Sequence, residues 1–158
     1  MSASHLASVL GRLPSGLFIV TARRDGDDET GMLASWIMQA GFDPPMITVA
    51  LHKDRLLARW LAMGTPFTVN LLADDQQRLV AHFGRGFEEA EPAFDGLKVS
   101  RNSSGAVVLD GTIGYLECEP TGHIDSADHR IFLARVISGR LADGERPMVH
   151  IRRNGLKY

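Results

Sequence analysis

Downstream of Leu97 the chain never returns to helical periodicity. The segments LKVS, AVVLDG, TIGYLECEPTGHI, RIFLARVISGRLA and MVHI follow one another as short runs rich in β-branched residues, separated by turn residues. Such a half can bury its apolar side chains only by pairing strands, which excludes a helical bundle.

The first half supplies further strands and the few helices. GLFIVTARR (16–24) reads as a strand, DGDDETG as a polar turn, and GMLASWIMQA (31–40) as the second arm of a hairpin. Asp43-Pro44-Pro45 forbids a helix and restarts an extended run, MITVALH. Leu6, Val9, Leu10 and Leu13 recur at helical spacing and predict a short opening helix that packs on something, broken at Pro14 and Gly16. Residues 54–63 (DRLLARWLAM) carry good helix formers. Asp74 or Asp75 is placed to cap a third helix over QQRLVAHFG, with Leu79, Val80 and Phe83 on one face. Residues 84–93 read as a surface loop. Many short strands and three short helices argue for a closed barrel over a doubly wound sheet, and no strand–GxGxxG–helix unit supports a Rossmann site.

At 158 residues the chain is one domain, 1–158, with a single core. Lys and Arg total 17 against 19 Asp and Glu with no long block of either sign, so nucleic acid and an anionic membrane are not expected partners. The lone Cys118 excludes an internal disulfide and any multi-cysteine metal site, and fits a reducing cytoplasm. The start MSASHLASVLGRLP lacks an export pattern, and no apolar run is long enough to span a membrane. The histidines show no HExxH or similar spacing, so no metal site is expected.

The words LPSGLFIVTA (13–22) and GMLASW (31–36), followed by FDPP (42–45), FTVNLL (67–72), FDGL (94–97), YLEC (115–118) and DHRIF (128–132), stand in an order that resembles the flavin reductase-like, FMN-binding split-barrel family almost end to end. GMLASW and a C-terminus with His150-Ile151-Arg152-Arg153 and a final Tyr158 most resemble the flavin reductase module of flavodiiron proteins. The resemblance implies a mainly β, Greek-key split barrel with a few short helices. It also implies a homodimer, FMN at the subunit interface, and reduction of that flavin by NADH or NADPH. Two departures stand out. Ala127 occupies a position where the family often has glycine before Asp128-His129, and His52-Lys53-Asp54-Arg55 is more basic than serine- or threonine-bearing versions.

FMN presents a dianionic phosphate, a polar ribityl chain and a flat apolar ring, so its site needs cations or N–H groups at one end and apolar surface at the other. Ala34, Ser35 and Trp36 could supply that mix. In an extended segment Ala34 and Trp36 face one side and Ser35 the other, so a bend would be needed for all three to reach one ligand. Lys53 and Arg55 sit at the start of the 54–63 helix, where the helix dipole also favours an anion. Arg55 is the better phosphate clamp, its planar fork binding two oxygens. Asn70 lies in an apolar strand and must find partners, either flavin polar atoms or a neighbouring loop. His129 is placed by the resemblance at the flavin edge, where it would assist by hydrogen bonding or protonation.

Two functions follow. One is an oxidoreductase, an NAD(P)H-dependent FMN reductase that passes electrons to a partner oxygenase or other acceptor. The other is a non-catalytic flavin-binding electron-carrier module beside a diiron partner. FAD in place of FMN is compatible with the same residues, as is haem.

Overall fold

The computed structural model describes residues 3–142 and 146–157; Tyr158 lies outside them. In chain order the elements are α1 (Ala3–Gly11), β1 (Ser15–Gly16), β2 (Phe18–Arg23), β3 (Glu29–Ala34), β4 (Ile37–Phe42), β5 (Pro45–His52), α2 (Leu56–Ala62), β6 (Phe67–Leu71), α3 (Gln77–Gly84), β7 (Val99–Arg101), β8 (Val107–Leu109), β9 (Gly114–Ser126), β10 (His129–Leu141) and β11 (Val149–His150).

Seven of these strands form one antiparallel sheet in the order β3-β2-β6-β9-β10-β5-β4. The two edges, β3 and β4, are consecutive in the chain and separated only by Ser35 and Trp36. Such a link spans no more than about 11 Å between Cα atoms, so the sheet must curl until its edges nearly meet. No ladder joins β3 to β4. The closed barrel expected from the strand count is therefore a split one, as the family resemblance implies, and the split lies at Ser35-Trp36. Residues 31–40, read as one strand, are two, because the Trp36 carbonyl leaves the β3 ladder and accepts from the Ala50 N–H of β5 at 2.9 Å.

Strand β2 explains the unbroken apolar run GLFIVTA. Val20 and Ala22 face a core under α2, with Val49, Leu57, Trp60, Phe67 and Phe132. Ile19 faces a second core between the sheet and α3, with Leu17, Leu72, Phe83, Val107 and Met148. Both faces of β2 are buried, so it does not alternate. Phe132 is completely buried in the first core, a burial that contributes about 1.5–3 kcal/mol.

Three expectations are corrected. The second helix is shorter than 54–63, starting at Leu56 with Arg55 as its N-cap. Neither Asp74 nor Asp75 caps α3. Its N-cap is Gln76, whose side chain instead accepts from the Ala73 N–H and donates to the Gly111 carbonyl, both at 2.8 Å. The apolar stripe of α1 packs only in part: Leu6, Val9 and the following Leu13 are exposed, Leu10 is half-buried beside Gly155, and Ala7 and Gly11 are buried. Leu79, Val80 and Phe83 share a face of α3 as expected, against the second core. Gly84 closes α3, and the rest of the segment read as a loop, 85–93, is without helix or strand.

The C-terminal segment returns to the start of the chain. Pro147 bridges to Ala73, the Met148 N–H donates to the Leu72 carbonyl, and β11 pairs with β1. Beyond it, the Arg152 and Gly155 N–H groups donate to the Gly11 and Ala7 carbonyls of α1. Both glycines are required at this crossing. A Cβ on Gly11 would collide with the Arg152 carbonyl, and one on Gly155 with Leu10.

Candidate active site

The returning segment forms one wall of a cleft of about 700 Å³; α3 forms another, and its floor is the split where β3, Ser35 and the end of β5 come together. This lies within the size range of small-molecule sites. Leu17, Met32, Leu33, Leu51, Val80 and Met148 give it an apolar surface. Its cations are Arg55, Arg152, Arg153 and Lys157, and no carboxylate lines it. Among the described residues Arg55, Arg153 and Lys157 make no ion pair. Four cations and no carboxylate among its lining residues make the cleft a receptor for a polyanion with an apolar body.

Ser35 is 4% exposed and its Oγ has no hydrogen-bond partner among the described residues. A buried hydroxyl without a partner costs free energy, and this one lines the cleft.

His129 begins β10 at the tip of the long β9–β10 hairpin, opposite His52 of β5. Its side chain is 15% exposed, and Nδ1 lies 2.7 Å from Asp128 Oδ1. The His129 hydrogen bond is the main cause that holds the Asp128 carboxyl below its ordinary range. An ionised carboxylate only accepts, so Nδ1 carries the hydrogen and Nε2 is the ring atom left for other partners. The ring packs at a 45° tilt against Trp36, centroids 4.8 Å apart, and edge-on to His52 at 5.3 Å. The turn that aims it contains Ala127 at φ 53°, the left-handed conformation for which glycine is preferred.

Of the expected residues, Ala34, Ser35, Arg55 and His129 line this one cleft. Trp36 stands behind it, half-buried, against the His129 ring and with the Arg152 guanidinium over its own ring, 5.1 Å from the centroid. Lys53 does not join them. Its Nζ pairs with Asp125 at 3.4 Å, a carboxylate that also binds Arg130. Asn70 is fully buried elsewhere, its amide donating to the Ile19 carbonyl and its oxygen accepting from the Leu109 N–H. It ties β2 and β6 to β8. Sequence reasoning missed Arg152, Arg153 and Lys157 as cleft residues, although HIRR was a word of the resemblance. His150 also faces the cleft; burial, and then Arg152, lowers its affinity for a proton. No helix among the described residues is long and apolar enough to cross a membrane.

The family model of the flavin reductase like domain matches residues 10–155. Diflavin flavoprotein A 1 of Synechocystis sp. is 38% identical over 157 residues, covering 98% of this chain and 27% of that protein. The chain thus spans about a quarter of the length of the curated relatives it matches. Among solved structures, NADH:FAD oxidoreductase SgcE6 of Streptomyces globisporus, in complex with NAD and FAD fragments, superposes with a TM-score of 0.81 at 26% identity, covering 91% of this chain and 85% of that one. BorF, the flavin reductase component of a bacterial two-component tryptophan halogenase, gives 0.82 at 25% identity, covering 95% and 94%. On this match of sequence over nearly its whole length, the chain belongs to the flavin reductase-like domain family.

Proposed function

We propose that this chain is an NAD(P)H-dependent flavin reductase domain that holds FMN in the cleft and passes electrons to a partner oxygenase or other acceptor. The observation that carries the reading is the coincidence, in one cleft, of apolar walls, a lining with cations and no carboxylate, and the unpartnered Ser35 Oγ. Each answers one part of FMN. The apolar surface suits the ring, the cations suit the phosphate, and Ser35 can bond a ribityl or ring polar atom.

Bound FMN would supply the chemistry of accepting a hydride and releasing its electrons onward. The protein's part is to bind, orient and exclude water. Arg55 binds phosphate oxygens with its planar fork. Leu17, Met32, Leu33 and Val80 keep water from the ring. His129, fixed by Asp128 on one side and Trp36 on its face, presents Nε2, accepting when the ring is neutral and donating when it is protonated. The names of the solved relatives, an NADH:FAD oxidoreductase and a halogenase's reductase component, support this reading.

The functional form is a homodimer. Met38 and Leu133 both stand opposite Thr48 in register and so share one face of the sheet, where they are 67% and 40% exposed. Leu6 and Val9 of α1 are also uncovered, and apolar faces of this extent are usually closed by a two-fold partner. A second reading is favoured by the relatives' length. In proteins named diflavin flavoproteins, a domain like this one is about a quarter of the chain, which suits an electron-carrier module working beside another redox centre. The two are separated by adding NADH or NADPH, with and without FMN, to the purified chain. Rapid FMN-dependent oxidation supports the reductase; FMN binding without oxidation supports the carrier.

A further inference from the structure

Resting on the reading of His129 at the reacting edge of a flavin, we propose that Lys53 is a positioning residue: from the end of β5 it clamps the tip of the β9–β10 hairpin and so fixes where the His129 imidazole stands in the cleft. The tip needs such a clamp. Strand β9 pairs with β6 only as far as Cys118, so from Glu119 to Ser126 its one neighbour in the sheet is β10. Residues 121–128 are all exposed, so little burial holds them. Strand β10 in turn pairs with β5, and that ladder ends at His129 opposite His52. The turn just beyond holds Ala127 at φ 53°, a conformation that persists where its surroundings over-determine it.

Lys53, the first residue past the ladder, supplies two ties. Its N–H donates to the Asp128 carbonyl at 3.0 Å, which carries the β5–β10 pairing one step beyond His129. Its Nζ lies 3.4 Å from Asp125 Oδ2, so the side chain joins β5 to β9, the two strands on either side of the one that carries His129. The other Asp125 oxygen accepts from Arg130 Nε at 2.7 Å. Hydrogen bonds from Arg130, and then from Lys53, hold the Asp125 carboxyl below its ordinary range, so it stays an acceptor for both cations. His129 is thus flanked on both sides. Before it stands Asp128, whose carbonyl Lys53 holds and whose carboxylate accepts from His129 Nδ1; after it stands Arg130, tied to the same lysine through Asp125. Exposed ion pairs add little to stability, so the consequence of this network is position. A misplacement of about 1 Å can cost a reaction about a hundredfold in rate, and a loosened tip that still pairs through β5 should cost less, about three- to tenfold.

Two measurements on the full chain test this. In the FMN-loaded chain, Lys53→Met, which keeps the stem and loses the charge, should lower the limiting rate of flavin reduction at saturating NADH about three- to tenfold. Its FMN affinity should stay within about twofold of the parent, since Lys53 is outside the cleft, and an unchanged urea midpoint reports an intact fold. Asp125→Asn should slow reduction likewise, and Lys53→Arg should restore it. With His129→Ala already present, Lys53→Met should cost nothing further, because it acts through that ring. In the flavin-free chain with isotope-labelled histidine, the His129 ring resonances are assigned by their loss in His129→Ala. They should shift in the same direction in Lys53→Met and Asp125→Asn and return in Lys53→Arg, with those of His82 unmoved. Shifts of opposite sign report a change of charge alone and overturn the clamp, as does an unmoved ring or an undiminished loss of rate beside His129→Ala. A Lys53→Met chain that binds FMN more weakly but riboflavin as before would place Lys53 on the phosphate instead. If the ring shifts as stated while neither parent nor variant reduces flavin, the clamp stands and the flavin reading is what fails.

Discussion

Replacing Ser35 by alanine should move apo stability and flavin affinity in opposite directions. In the ligand-free chain the Oγ is buried and unpartnered, a state that costs about 1–3 kcal/mol. Deleting one oxygen removes that cost and leaves a void smaller than a methyl group, so the variant should gain about 1 kcal/mol. For a chain of this length that raises Tm by about 2–4 °C. If FMN satisfies the hydroxyl, the variant loses about 0.5–1.5 kcal/mol of binding, or about two- to tenfold in affinity. With FMN fixed at about 100 times the parent Kd, the parent gains about 2.7 kcal/mol and a variant binding tenfold more weakly about 1.4. The apo advantage of Ser35→Ala should then vanish or reverse. Thermal denaturation with and without FMN, with a fluorescence titration, reads both halves. An apo variant less stable than the parent, or one that binds FMN equally well, refutes the reasoning.

Arg55→Ala should weaken FMN about ten- to a hundredfold while sparing riboflavin, because a charge-assisted phosphate contact contributes about 1.5–3 kcal/mol; equal losses for both ligands would remove Arg55 from the phosphate. His129→Ala should slow flavin reduction by NAD(P)H with FMN affinity nearly intact, and a stopped-flow rate within about twofold of the parent would make His129 structural. Ala127→Gly should raise the urea midpoint, because the left-handed turn costs alanine about 1–2 kcal/mol, of which glycine's unfolded-state entropy returns about 0.5–1; a lowered midpoint would show that the turn prefers its methyl group.

The strands after Leu97 were legible because period-two and β-branched runs are local signals, and four of the expected cleft residues, Ala34, Ser35, Arg55 and His129, sit together. What escaped was set by partners far along the chain. The break at Ser35-Trp36 is made by Ala50, which draws the Trp36 carbonyl away from β3, and in GMLASWIMQA the break carries only Ser35, a weak turn former, while the one glycine stands at the far end. Lys53 looked available until the β9–β10 hairpin brought Asp125 to it. Asn70 could have served a ligand or a loop, and the pairing with Leu109 and Ile19 uses both ends of its amide. The C-terminal cations reach the cleft only because Pro147 and Met148 pair with Ala73 and Leu72. The stripe of α1 was correctly seen as apolar, but periodicity cannot say whether the surface that covers it belongs to the same chain.

Anaerobic mixing of the FMN-loaded chain with excess NADH or NADPH, followed at the visible band of oxidised flavin, tests the assignment most directly. Reduction should bleach the band in a single phase within seconds, and admitting an electron acceptor should restore it. A chain that binds FMN but leaves the band unchanged with both nucleotides is not a flavin reductase, and the cleft would then serve flavin carriage alone.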